Sequence, residues 1–144
     1  MLELMNGIRS ILEACVSIKP GDSVLVIAYD EGRSTWIGQL VTGVVTAMGG
    51  EAVLTIMTQR EIAGQEPPAS VAAAMKSVNF IIQICEKASI THTNARKEAT
   101  AAGVQFAHIF DVRLDDLKKG VSIPDIRLVK DRTDKLADRL TQAQ

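Results

Sequence analysis

Two kinds of hydrophobic spacing alternate along the chain. Leu2, Met5, Ile8, Leu12 and Cys15 or Val16 follow helical intervals over residues 2–16. Lys19-Pro20-Gly21-Asp22 supplies turn chemistry, and Ser23–Ala28 is a dense β-branched run of strand length. Arg33–Met48 returns to helical spacing through Trp36, Leu40, Val44 and Met48, with Gly49-Gly50 to end it. Glu51–Met57 predicts a second strand. A long polar connection follows, and Pro67-Pro68 then opens a helix to Lys76, proline being tolerated in a first turn. Val78–Cys85 is an apolar third strand, and Thr91–Ala102 a helix with small inward residues, Ala95, Ala99 and Ala102, closed by Gly103. Val104–Phe110 makes a fourth strand. Asp111–Lys119 predicts a short helical turn closed by Gly120. Pro124–Leu140 predicts a charged amphipathic helix with Ile126, Val129, Leu136 and Leu140 as its apolar positions.

Strands that alternate with helices through short turns predict a parallel sheet wound by crossovers. The expected fold class is α/β: one Rossmann-like, three-layer α/β/α domain over residues 1–144, with a mainly parallel sheet of about four strands. No internal repeat, linker or low-complexity tract interrupts it.

Composition agrees. The chain has 144 residues, enough to bury a core without staples, and 47% apolar against 3% aromatic residues makes that core aliphatic. A net charge of −1, with Lys and Arg scattered among acids, offers no basic stripe for nucleic acid. Cys15 and Cys85 form no CxxC pair and read as buried thiols rather than a disulfide. There is no signal-peptide pattern, and no segment approaches the roughly 20 apolar residues that span a bilayer. The expected setting is soluble and cytoplasmic, without membrane or nucleic-acid partners.

Chemistry concentrates where the third strand gives way to a helix. Lys87 to Thr100 holds Ser89, Thr91, His92, Thr93 and Arg96 at one strand-to-helix junction, on the edge where open α/β sheets bind ligands. His92 is the sharpest candidate for a catalytic role, since an imidazole there can hydrogen-bond a substrate carbonyl or carboxylate; the competing reading is a surface histidine that helps cap the helix. Thr91 and Thr93 are substrate-binding candidates, although with Ser89 they are first of all N-cap residues. Arg96 could grip a carboxylate bidentately or pair with Glu98. Free N–H groups at the helix start also suit a small anion such as sulfate or phosphate. The connection Gln59–Pro68 is long for its place and reads either as a lid or subunit contact, or as a packed loop with Glu66 beside a helix start.

Other sites are poorly supported. Tyr29-Asp30-Glu31-Gly32-Arg33 stands where a dinucleotide fold would carry GxGxxG, and no P-loop is present. Asp30-Glu31 could begin a receiver-type acidic pair, but Glu86-Lys87 replaces the aspartate such a domain needs. His108 alternates with Phe106 and Phe110, so it shares their face and is expected to be buried or half-buried. Neither HExxH, HxH nor a facial triad can be assembled, and no Ser-His-Asp or Cys-His catalysis is legible.

Three stretches, taken in order, carry a resemblance: Lys19-Pro20-Gly21-Asp22-Ser23-Val24-Leu25-Val26-Ile27, Arg60-Glu61-Ile62-Ala63-Gly64-Gln65-Glu66-Pro67-Pro68, and the run from Lys87 to Thr100. From about residue 15 to residue 120 the chain resembles the N-terminal domain of the aminopeptidase T-like family, which groups metal-dependent aminopeptidases with iron-dependent 2,5-dihydroxypyridine dioxygenases. The resemblance implies that the divalent metal (zinc, cobalt or iron) and its His, Asp and Glu ligands belong to a C-terminal domain with no counterpart here. It implies further that the His92 junction lies near a neighbouring subunit's metal site. On this view the chain is a truncated form or a small subunit, inert alone and without a cofactor of its own. Its partners would be a larger metal-binding subunit or further copies of itself, and its substrate a peptide or small molecule. The alternative is a non-catalytic, self-associating binding module.

Overall fold

All four strands expected from the sequence form, and they pair in parallel in the order β2-β1-β3-β4. The computed structural model describes residues 1–111, 113–119 and 123–142, and the side chains among them except those of 123–127. The strands are β1 (Ser23–Tyr29), β2 (Glu51–Met57), β3 (Phe80–Cys85) and β4 (Gln105–Phe110). The helices are α1 (Leu2–Cys15), α2 (Ser34–Ala47), α3 (Ala69–Met75), α4 (Asn94–Ala101), α5 (Leu114–Lys119) and α6 (Ile123–Gln142). Gly120, the expected stop after α5, lies outside the described residues, as does the side chain of Ile126.

Side-chain alternation sorts the central strands into two cores. Val24 and Val26 of β1, with Phe80, Ile82 and Ile84 of β3, face α1 and α2. Leu25, Ile27, Tyr29, Ile81 and Cys85 face α3 and α4 on the other side. The result is the three-layer α/β/α arrangement. The outer strands are less covered: Val53 and Ile56 of β2 are 56% and 48% exposed.

α1 keeps most of its expected stripe, with Ile8, Leu12 and the C-cap Val16 buried and Met5 packed against them, but it buries Leu4 and leaves Leu2 exposed; Cys15 is exposed, so only Cys85 is a buried thiol, and both cysteines are free. α2 is turned from its expected face. α2 buries Ile37, Val41, Val44 and Val45, whereas Trp36, Leu40 and Met48 are only partly covered. Gly38 explains the turn. A Cβ there would stand 3.0 Å from both Ala28 Cβ and Leu54 Cδ1, so the helix seats its smallest residue where it meets the sheet most closely.

β1 and β3 part company at their C-terminal ends. Their register runs only to Ile27↔Gln83, which leaves backbone groups beyond it in need of partners. Ser34, the first residue of α2, fills the gap: its Oγ accepts from Tyr29 N–H at 2.9 Å and donates to the Ile84 carbonyl at 2.7 Å. Ser34→Ala is expected to cost about 1–3 kcal/mol, because both backbone groups would be left buried and unpaired. A urea denaturation curve measures it, and an unchanged midpoint would contradict the bridging role.

Candidate functional site

The strand order reverses between β1 and β3, so the crevice beyond their C-terminal ends is the expected ligand position. Here the chain fills that crevice itself. Glu86, just past β3, accepts from Arg33 N–H at 2.5 Å, and the Arg33 guanidinium lies 3.5 Å from the Glu86 carboxylate and 3.7 Å from Asp111. Gly32 makes room for this. Its φ is +62°, and a Cβ would come within 2.7 Å of Glu86 Oε1, so a larger residue would evict the carboxylate. Lys87 pairs with Glu31 at 2.7 Å, and the cavity left between Glu31, Gln59 and Glu86 is only about 100 Å³.

The α4 start is also taken. The helix begins at Asn94, not Thr91, and Thr93 is its N-cap: its hydroxyl accepts from Arg96 N–H at 3.1 Å and donates to the Ile90 carbonyl at 2.7 Å. The next free donors, Asn94 and Ala95 N–H, bond to the Glu66 carboxylate at 2.6 and 3.2 Å. Glu66 thus serves a helix start, but that of α4 rather than of the helix it precedes. The loop carrying it is strapped down by Gly64 N–H on the Ser89 carbonyl at 2.9 Å. The anion expected at this junction is one the protein supplies.

What remains open is a depression of about 480 Å³ lined by Ala63, Lys87, Ser89, Thr91, His92, His108 and Phe110. His92 is exposed on its rim and Thr91 is partly buried. His108 belongs to it too, and is more exposed than expected because β4 is an edge strand, although its ring still lies between Phe106 and Phe110, with centroids 6.4 and 5.5 Å away. Beneath the depression runs a buried polar chain. Gln83, wholly buried in the central strand, donates to Tyr29 Oη at 2.8 Å and accepts from Ser89 Oγ at 3.0 Å. Ser89 Oγ in turn contacts the Thr91 hydroxyl and accepts from Thr91 N–H at 3.0 Å. Cys85 Sγ lies 3.0 Å from His108 Nε2. Burial pushes the Tyr29 phenol up to about 12 and the Cys85 thiol up to about 11, and it lowers the His108 imidazole. At neutral pH the thiol therefore keeps its proton.

The structure thus gathers His92 and Thr91 at one opening and separates the other two candidates from it. Thr93 is 1% exposed, and its hydroxyl is engaged with the Ile90 carbonyl and Arg96 N–H. Arg96 lies across the face of Phe106, 4.3 Å from the ring centroid, with Nε buried and unpartnered; Glu98 pairs instead with Lys76 at 2.9 Å. Motif and spacing mark neither Tyr29, Gln83 and Cys85 as supports of the depression nor α4 as the helix that Glu66 caps. Gln83 had left a signal, as a lone polar side chain inside an apolar strand. Among the described residues no group of three or more His, Cys, Asp or Glu side chains could hold a metal ion. No described helix is long and apolar enough to cross a membrane.

Comparison with known proteins gives a fold and little more. The chain is similar to the structure of 2,5-dihydroxypyridine dioxygenase from Pseudomonas putida KT2440, with a TM-score of 0.62 and 7% identity over 74% of this chain and 33% of that one. It therefore spans about a third of that protein's length. No family model and no curated protein matches the sequence.

Glu66→Ala is expected to lower stability by about 0.5–2 kcal/mol, the range of a lost helix cap. Amide exchange at Asn94 and Ala95 should accelerate selectively; a uniform effect would deny Glu66 its capping role. The pH dependence has a definite sign. Tyr29 and Cys85 hold their protons more tightly when folded, so their contribution is intact below the ordinary values of 10.0 and 9.0 and is lost as pH rises through about 12 and about 11. Tyr29→Phe should flatten the upper part of that alkaline decline in urea midpoint, and an identical slope would show that the phenol is not linked to folding.

Proposed function

We propose that the chain is an accessory α/β domain or small subunit of a metal-dependent enzyme. It presents the strand-end depression to a metal centre carried by another domain or polypeptide. The observation that carries this reading is the meeting of His92, Thr91 and His108 at one open hollow, on a fold shared with part of a dioxygenase. His92 is the residue assigned to the chemistry, as donor or acceptor to a substrate oxygen. Thr91 orients the substrate from below, and His108, propped by Cys85, closes the side towards β4. The metal's chemistry polarises or activates the substrate where that metal is bound, and the residues of this chain only hold and orient.

Two reactions suit such a hollow. Ring cleavage of a hydroxypyridine-like compound is supported by the fold similarity. Hydrolysis of an N-terminal peptide bond or related amide is supported by the sequence resemblance alone. Both set a neutral or anionic substrate oxygen against hydrogen-bonding side chains. A second copy of the chain, or a larger metal-bearing subunit, would complete the site.

Purified alone, the chain is expected to carry no stoichiometric zinc, cobalt or iron by elemental analysis; tightly bound metal at one per chain would overturn the accessory reading. In complex with the metal-bearing part, His92→Ala should reduce turnover by about 10²-fold, the cost of one lost hydrogen-bonding group at a reacting oxygen, with the complex intact by gel filtration. Unchanged turnover would remove His92 from the chemistry.

A further inference from the structure

The hydrogen bonds beneath the depression run in one direction, and that direction limits what the opening can hold. Gln83, wholly buried, spends its amide N–H on Tyr29 Oη at 2.8 Å and takes the Ser89 hydroxyl proton on its carbonyl at 3.0 Å. A serine hydroxyl has one proton to give and two lone pairs to fill. Ser89 has given its proton inward, and one of its lone pairs receives Thr91 N–H at 3.0 Å. The contact between the two hydroxyls is therefore made with the Thr91 proton, which fills the second lone pair of Ser89. Ser89 is then complete, and Thr91 has no side-chain proton left for anything outside. Both residues line the hollow, and Thr91 is the more exposed of the two.

We infer that Thr91 is a specificity-determining acceptor, and that Ser89 and Gln83 are the positioning residues that make it one. A ligand in the hollow must bring an O–H or N–H to the Thr91 oxygen; a carboxylate, phosphate or ester oxygen placed there would meet lone pair with lone pair. The inference rests on the reading of this depression as a surface turned towards a substrate. Nearby donors that suit an anion are already engaged, Asn94 and Ala95 N–H by Glu66 and the Lys87 ammonium by Glu31 at 2.7 Å. Phe110 and Ala63 add apolar wall. The ligand class that fits is an uncharged molecule with an apolar body and at least one exposed O–H or N–H.

The probes are benzamide, methyl benzoate and benzoate, which share an apolar ring and a carbonyl-type oxygen and differ in donor and charge. Titrated into the whole chain and followed by NMR shifts of the Thr91 and His92 amides, benzamide should bind at least about fivefold more tightly than either of the others. Thr91→Val should bring benzamide down to the level of methyl benzoate, and Thr91→Ser, which keeps the oxygen, should restore the preference. Ser89→Ala frees the Thr91 proton, so methyl benzoate and benzoate should gain on benzamide. Lost packing alone would weaken all three alike and leave their ratio unmoved, and the Thr91 pair of variants decides the question if Ser89→Ala does not fold. An equal or reversed ranking in the native chain, no shift at Thr91 with any probe, or a ratio that survives Thr91→Val would overturn the inference. A flat ranking beside a His92→Ala loss of turnover in the complex removes only the role of Thr91. A benzamide preference beside unchanged His92→Ala turnover removes only His92 from the chemistry.

Discussion

Where two parallel strands separate, their backbone groups must find other partners, and this chain is organised around how it meets that demand. Beyond Ile27 and Gln83 the ladder between β1 and β3 stops, and the Ser34 hydroxyl takes over. The same need recurs at the helix starts nearby. Arg33 N–H is met by Glu86, and Asn94 and Ala95 by Glu66, each a carboxylate brought from a distant segment. Such contacts tie the segments at the rim of the sheet to one another.

The rim's chemistry follows from this. A helix start attracts anions only while its donors are unoccupied. Here the donors are engaged from within, and the side chains that project past them are the imidazoles of His92 and His108 and the Thr91 hydroxyl. These are hydrogen-bonding groups on a partly apolar surface with Phe110 and Ala63. The one ammonium beside them, Lys87, is held charged by its bond to Glu31.

Much of the fold was legible because its signals are local. β-branched runs, helical spacing and glycine stops depend on neighbours along the chain, and every strand lies where those patterns put it. The errors arose where distance in sequence decides. Ser89, Thr91 and Thr93 are all competent caps, and only the arrival of Glu66 and the burial of Thr93 choose between them. The face of α2 turned because Gly38 meets Ala28 and Leu54, contacts that periodicity alone does not reveal. For the site, the sequence marked His92 and the junction, yet the pairing of His108 with Cys85 depends on the parallel register of β3 and β4. Gln83 stood out as polar, but its partners Tyr29 and Ser89 lie on two other segments.

The strand order β2-β1-β3-β4 also has a consequence in time. As the chain leaves the ribosome, α1, β1, α2 and β2 emerge before β3. The opposite side of β1 then waits for β3, which arrives only after α3 has been made. During that interval Val24 to Ile27, destined to be the most deeply buried stretch of the protein, show a bare backbone edge to the cell. That window shuts when Phe80 and its followers pair with β1.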